Sequence, residues 1–471
     1  MTRVGRLAAA LVVVLPALAG AAAAPVPLGP CGPIARAHDA VELTASRLRR
    51  LGGTPLDRIG LVAWTNGVAH PIPFQVDERV GSHVAMPNGP EADRDDQPGI
   101  LDKDDAFLFM PCDAGERAPD GAPPAALGRE IRLDDPRTGR TAWAYVMLGD
   151  APPRTDRRYV AYDAAHDIVS TATWRVGCVG ALPSYFALGL AGSLGPNLVD
   201  GLRLRAEATL RGNLAHWTLD ETEGRHRLVA WTEGAIRVMR RSRHEVDIGL
   251  GIHLTAGVAH TAFYAEHVLA PGSLHLPFSP SIFFKDITAI GGVDLHLPPG
   301  WRYVAPGTPA AGFAIDGTMN DAERGFTARG DWFALVHDGE AVMVVVEMSE
   351  NLRRALPLGL VYRDDAAHAA PPERERGQMP LVAMQAREVQ NLEPARYRFQ
   401  LRIVMLHGWS AATADGVRRD VATPLTADVT VPPDWPSPPA PGAPAATAPP
   451  PRGAPAVTAP AAPAAAPARR R

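Results

Sequence analysis

The sequence predicts an all-β protein of antiparallel β-sandwich architecture, organised as two β domains. Three observations carry this. Apolar and polar residues alternate with period two in many short segments, as in strands buried on one face. Hairpin turn dipeptides, such as Asn66-Gly67 and Asp338-Gly339, stand between such segments. Sustained 3.6-residue periodicity is scarce, which leaves little room for long helices.

The first 24 residues stand apart. Arg3 and Arg6 precede an apolar run over 7–18, and small residues follow to Ala24. This is the charged, apolar and small-residue succession of a secretory signal peptide. The run is shorter than the roughly 20 residues a membrane span needs. The expected mature chain therefore begins just before Pro25, carries no transmembrane segment, and works in the periplasm or outside the cell. Residues 25–165 are read as an N-terminal β domain. Its Pro- and Gly-rich start, to about Arg36, is irregular, and 40–51 suits a short helix or strand. A strand over 59–64, the Asn66-Gly67 turn and a return strand over 69–76 form a hairpin. Strands are expected over 105–110, 131–133 and 142–148.

Residues 166–435 read as a larger β-sandwich domain. Over 202–210 Leu202, Leu204, Ala206, Ala208 and Leu210 alternate with Arg203, Arg205, Glu207 and Thr209, predicting a strand with the leucines inward. A hairpin follows over 228–241, turning at Glu233-Gly234. Ile248, Leu250, Ile252 and Leu254 also alternate. The clearest hairpin spans 332–347 around Asp338-Gly339, and a late strand covers 397–406. Residues 436–471, rich in Pro and Ala and ending in three arginines, are expected to be disordered with extended character.

Net charge is −4, which excludes a general binder of nucleic acid or membrane surfaces. Of 47 basic residues only Lys103 and Lys285 are lysine, so nearly every cation is a planar, bidentate guanidinium. The three cysteines, Cys31, Cys112 and Cys178, predict one disulfide and one free thiol in an oxidising compartment, with the pairing left open. No lipobox precedes Cys31, and there is no CxxC.

The best local motif is the acidic loop over 91–105. Hard cations want carboxylate and carbonyl oxygens. With Asp93 at position 1, Asp95 falls at 3, Gln97 at 5 and Asp104 at 12. Over these twelve residues the loop resembles an EF-hand-type or dockerin-type calcium loop, which implies Ca2+ held by Asp93, Asp95, Gln97 and Asp104. It departs from that pattern at Pro98, where the turn wants glycine, and at Asp104, which is shorter than the usual Glu. No flanking helices are evident, so the EF-hand fold is not implied.

Two arginine-bearing faces form the second candidate. Arg203, Arg205 and Arg211 share one strand face, and Arg237, Arg241 and Arg243 another. If the two strands were neighbours, six guanidiniums would line one surface suited to carboxylate or sulfate, with Trp217 and Trp231 near enough to stack on sugars. A weaker candidate is a proton-transfer pair, His260 and Tyr264. No Walker A loop, no GxGxxG after a strand, no HExxH and no nucleophile elbow is present; Arg329-Gly330-Asp331 is too short a match to carry meaning. The expected function is binding of an extracytoplasmic ligand, an anionic polysaccharide or other cell-envelope component. The alternatives are a polysaccharide lyase or glycoside hydrolase on a β-sandwich, and a structural accessory subunit of an exported complex.

Overall fold

The computed structural model describes residues 23–48, 50–119, 127–179, 182–190, 193–221, 224–247, 253–367 and 380–430. Residues 1–22 of the segment expected to be a signal peptide, the tail expected at 436–471, and Ile248, Leu250 and Ile252 lie outside the described residues. The fold is all-β, built from antiparallel sheets. Among the described residues no helix is long and apolar enough to cross a membrane.

Two sheets face each other near the N-terminus. One has five strands in the order Thr426–Thr430, Leu127–Asp135, Arg140–Leu148, Ile59–Thr65 and Val68–Pro71. The other has three, with Ala106–Phe109 between Val41–Thr44 and Phe74–Asp77. Leu43, Phe107 and Phe109 from the small sheet and Leu61, Ile131, Leu133 and Val146 from the large one share a single buried core. That is a sandwich: each sheet has one apolar face, and each face covers the other. The Asn66-Gly67 hairpin forms as expected, with both residues at positive φ (51° and 75°), the geometry of a type I′ turn. The return strand expected over 69–76 breaks in two. Val68–Pro71 stays with Ile59–Thr65, and Phe74–Asp77 crosses to the small sheet. Pro73 stands at the break, where a residue without an N–H cannot extend the ladder. The 40–51 segment becomes the strand Val41–Thr44 followed by a 3-10 turn over Ala45–Leu48.

The rest of the chain builds a five-stranded sheet over 161–194, a six-stranded sheet and a nine-stranded sheet. The last two share a core in which Tyr303, Phe313, Phe333 and Leu335 pack against Leu360, Tyr362, Val382 and Met384. The hairpins at Glu233-Gly234 and Asp338-Gly339 form, the second with Asp338 and Gly339 at φ 46° and 82°. Residues 426–430, read from sequence as part of the larger domain, instead complete the N-terminal five-stranded sheet, with Ile131 opposite Val429. The helix Ala411–Ala422, which the sequence pattern did not predict, leads into this strand. Ser410 caps it by accepting the Thr413 N–H.

Two long-range ties hold the N-terminal segment. Cys31 and Cys112 form the disulfide, and Cys178 is free. The Arg36 guanidinium, with no exposed side-chain surface, bonds Asp135 at 2.5 Å, Asp39 at 3.1 Å, and the carbonyls of Asp420 and Thr423 at 3.0 and 2.8 Å. One side chain thereby joins the N-terminal segment, the end of a central strand and the C-terminal helix.

Candidate functional site

The two arginine strands are not neighbours, so the expected six-guanidinium surface does not form. Val199–Leu210 lies between His216–Leu219 and Phe284–Leu295 in the six-stranded sheet. Val238–Asp247 lies between Gly224–Glu233 and His253–Phe263 in the nine-stranded one. Three of these six arginines, Arg203, Arg237 and Arg241, are inside the protein. Arg203 is 5% exposed and bonds Asp294 and Glu221, whereas Leu204, expected inward, is 39% exposed. Arg205 reaches the same Glu221, and Arg211 caps the Ser281 carbonyl. Arg237 is buried against Asp77, Glu42 and the Tyr264 hydroxyl. Arg241 bonds Asp93, and Arg243 bonds Glu91. A buried guanidinium needs partners for its charge, and for Arg203, Arg237 and Arg241 Asp294, Asp77 and Asp93 supply them from far away in sequence. Trp217 and Trp231 belong to different sheets.

His260 and Tyr264 do not form a proton-transfer pair in a cleft. Tyr264 is 3% exposed, its hydroxyl accepts from Arg237, and its ring stacks on His267 at 4.3 Å. Burial pushes its phenol pKa up. His260 faces His83, and burial with Arg241 beside it holds its pKa down at about 4, so it is neutral near pH 7.

Behind Tyr264 runs a buried polar seam. His267 and His38 are enclosed, and burial lowers both pKa values, His38 to about 4. At its outer end His407 bonds Glu266 at 3.3 Å and Glu340 at 2.5 Å, and Glu266 also accepts from Thr173. The hydrogen bond to Glu266, with Glu340 behind it, raises the His407 pKa from 6.5 to about 9. Folding then favours the protonated imidazole. Its stabilisation is full below about pH 6.5 and is lost as pH rises through 9, damped by salt because the ring is partly exposed. His38 and His267 oppose folding only below their unfolded pKa, and Asp105, which burial pushes up to about 7, titrates in the same window, so the His407 share is the part of the slope that His407→Gln removes. Denaturant titrations from pH 6.5 to 9 should show falling stability in the parent and a flatter profile in His407→Gln. An equal slope in both would reject this assignment.

An open groove lies elsewhere, where the nine-stranded sheet, the strand Ala328–Arg329 and two helices meet. Its volume is about 500 Å³, and its lining includes Arg329, Asp331, Trp332, Met348, Arg353 and Arg418. The arginines come from three separate elements: Arg329 ends its short strand, Arg353 belongs to the helix Glu350–Ala355, and Arg418 to Ala411–Ala422. Gly330 sits between them because a Cβ there would lie 3.0 Å from Pro306 and 3.1 Å from Leu360. Arg418 lies over the Trp332 ring at 5.9 Å, a cation–π contact that keeps the indole and a guanidinium together. Arg353 is held by Glu350 at 2.6 Å, and Arg418 is only loosely answered by Asp415 and Asp331 at 3.7 and 3.9 Å. Arg329 has no acidic partner among the described residues. The result is an exposed cationic groove with an aromatic wall. Sequence reading passed over it, because its members are far apart and no local spacing joins them.

The acidic loop is regrouped by the fold. Asp93 is engaged by the Arg241 guanidinium, the Met86 N–H and His83, which outweigh burial and hold its pKa down at about 2. Gln97 is exposed, and its backbone N–H donates to Asp95. Asp104 leans on Asp102, to which its N–H donates. The carboxylates of Asp95, Asp102 and Asp105 are the ones brought together: one oxygen from each lies within 4.8 Å of the others. Burial, with Asp102, Asp95 and Glu78 nearby, pushes the Asp105 pKa up to about 7.

No family model matches the chain, and no curated protein matches it. Among solved structures it is similar to an alpha-mannosidase from Enterococcus faecalis, with TM-score 0.42 and 8% identity over 85% of this chain and 45% of that one. A glycosyl hydrolase family 38 protein, also from Enterococcus faecalis, gives TM-score 0.43 and 9% identity over 83% and 45%. The chain thus spans less than half the length of these structures, and likeness at this level fixes neither their fold nor their activity on this protein.

Proposed function

We propose that this is an exported protein that binds an anionic polysaccharide, with the acidic groups of the polymer seated in the groove of Arg329, Arg353, Arg418 and Trp332. One observation carries the reading: three guanidiniums from three elements converge, exposed, beside one indole. Guanidinium matches carboxylate or sulfate through paired hydrogen bonds, and an aromatic face suits the flat side of a sugar ring. Export is supported by the signal-type N-terminus and by a disulfide, which persists in oxidising compartments. The binding reading is preferred to a hydrolase. Asp331 is the one carboxylate among the described lining residues, whereas glycoside hydrolysis ordinarily needs two. The accessory-subunit reading draws on a different surface, where Leu214, Trp217, Phe278, Ile282 and Phe283 are exposed apolar side chains.

Affinity electrophoresis in polygalacturonate or heparin gels, with dextran as the neutral control, tests the proposal. The parent should be retarded by a polyanion and not by dextran, and less so as salt rises. Arg329→Ala with Arg353→Ala should weaken binding more than about tenfold, since roughly 1.4 kcal/mol is a factor of ten. Fold stability should shift by no more than about 0.5 kcal/mol, because both side chains are exposed. Equal retardation of parent and double variant, or none of either, would overturn the assignment.

A further inference from the structure

The acidic loop carries a separate site. Each of Asp95, Asp102 and Asp105 spends one oxygen on the loop's own backbone. Asp95 Oδ2 accepts the Gln97 N–H, Asp102 Oδ1 accepts from Asp104 and Asp105, and Asp105 Oδ2 accepts from Asp102. These bonds fix all three side chains. A second observation is independent of them: Asp105 is fully buried, and its Oδ1 has no hydrogen-bond donor among the described residues. An unanswered carboxylate oxygen inside a protein is costly, and two further carboxylates beside it make it more so. Among the described residues no cation answers the group: Arg241 is committed to Asp93, and Lys103 is exposed.

We infer that Asp95, Asp102 and Asp105 hold a divalent cation of the calcium class. Two oxygens each about 2.3–2.6 Å from one ion lie no more than roughly 5 Å apart, and this group meets that limit at 4.8 Å. The remaining positions in a calcium shell, which takes six to eight oxygens, would fall to water or carbonyls. The site differs from the loop reading of the sequence in every ligand but Asp95. It also has a structural consequence. Asp105 directly precedes Ala106–Phe109, the central strand of the small sheet, and its carbonyl accepts from Ala45. A cation there would pin the loop to the N-terminal core.

The test uses the full mature chain, stripped with EGTA and titrated with CaCl2, then separately with MgCl2, by thermal melting and calorimetry. A ligand that binds only the native state raises the melting temperature with the logarithm of its concentration. The parent should show saturable binding heat and a rise of about 3 °C or more once calcium exceeds its Kd a hundredfold. Asp105→Asn and Asp102→Asn should abolish both, while Asp93→Asn and Gln97→Ala keep them. Should Asp105→Asn fail to fold, Asp102→Asn and the titration of the parent decide. A parent with no binding heat and no shift in millimolar calcium overturns the inference. A response lost in Asp93→Asn but kept in Asp102→Asn would return the ion to the loop ligands of the sequence reading.

Discussion

Replacing Cys31 and Cys112 together by serine is expected to lower the stability of the fold by roughly 4–5 kcal/mol. The bond closes a loop of 81 residues. In the chain-entropy account, a loop of that size removes much of the freedom of the unfolded state. The native side is prepared for it. Gly32 donates to the Cys112 carbonyl, and a Cβ on Gly32 would lie 2.3 Å from the Ala114 carbonyl oxygen, so the two segments are in close backbone contact without the sulfurs. Equilibrium urea unfolding of parent and double variant, and of parent under reductant, measures the effect. Reductant should bring the parent to the variant's midpoint and leave the variant unmoved. A variant within about 1 kcal/mol of the parent would show that the unfolded chain is already restricted there.

Arg36→Ala should be nearly as damaging, at about 3–5 kcal/mol, because it removes one partner of a buried pair and leaves the other charged. Asp135 would be stranded. Burial acts to raise its pKa, but the hydrogen bonds from Arg36, Thr138 and Arg137 overcome it and hold the value at about 2. Without the guanidinium, the carbonyls of Asp420 and Thr423 also lose a donor. Adding Asp135→Asn should recover part of the loss. Urea midpoints of the two single variants and the double variant give the coupling. An Arg36→Ala midpoint close to the parent's would mean that water replaces the side chain.

What could be read from the sequence was local. Asn66-Gly67 and Asp338-Gly339 were legible because a two-residue turn at positive φ needs those residue types, and the strands beside them need only alternate. The break at Pro73 was legible in principle, since proline cannot donate. The strand expected over 202–210 was found, within Val199–Leu210, but its facing was partly misread. Alternation puts Arg203 outside, whereas Asp294 and Glu221, supplied by other segments, answer it inside. The same blindness undid the arginine surface, because Asp77, Asp93 and Glu91 each answer an arginine more than 140 residues away. The helix Ala411–Ala422 escaped because it buries only Ala414 and Val417, too narrow a stripe for a clear period. Of the acidic loop, the sequence showed the concentration of carboxylates. It could not show that Arg241 would take Asp93 and leave Asp105 unanswered.

The pairing of Leu127–Asp135 with Thr426–Thr430 sets an order of assembly. A chain that emerges N-terminus first presents the earlier strand long before its partner exists, with the strands of the six- and nine-stranded sheets still to come. Until then Leu127–Asp135 is an edge, its outer row of N–H and C=O groups a template for wrong partners. Contacts this distant in sequence form late and slow the folding of β proteins. The sandwich that holds Leu127–Asp135 is therefore sealed only after the strands of the six- and nine-stranded sheets have been made. Its closing strand is anchored through the Ala411–Ala422 helix, whose end is gripped by Arg36. That grip makes Arg36 a latch: it engages only when the segment of Asp420 and Thr423 has arrived, and it shields the vulnerable edge from then on.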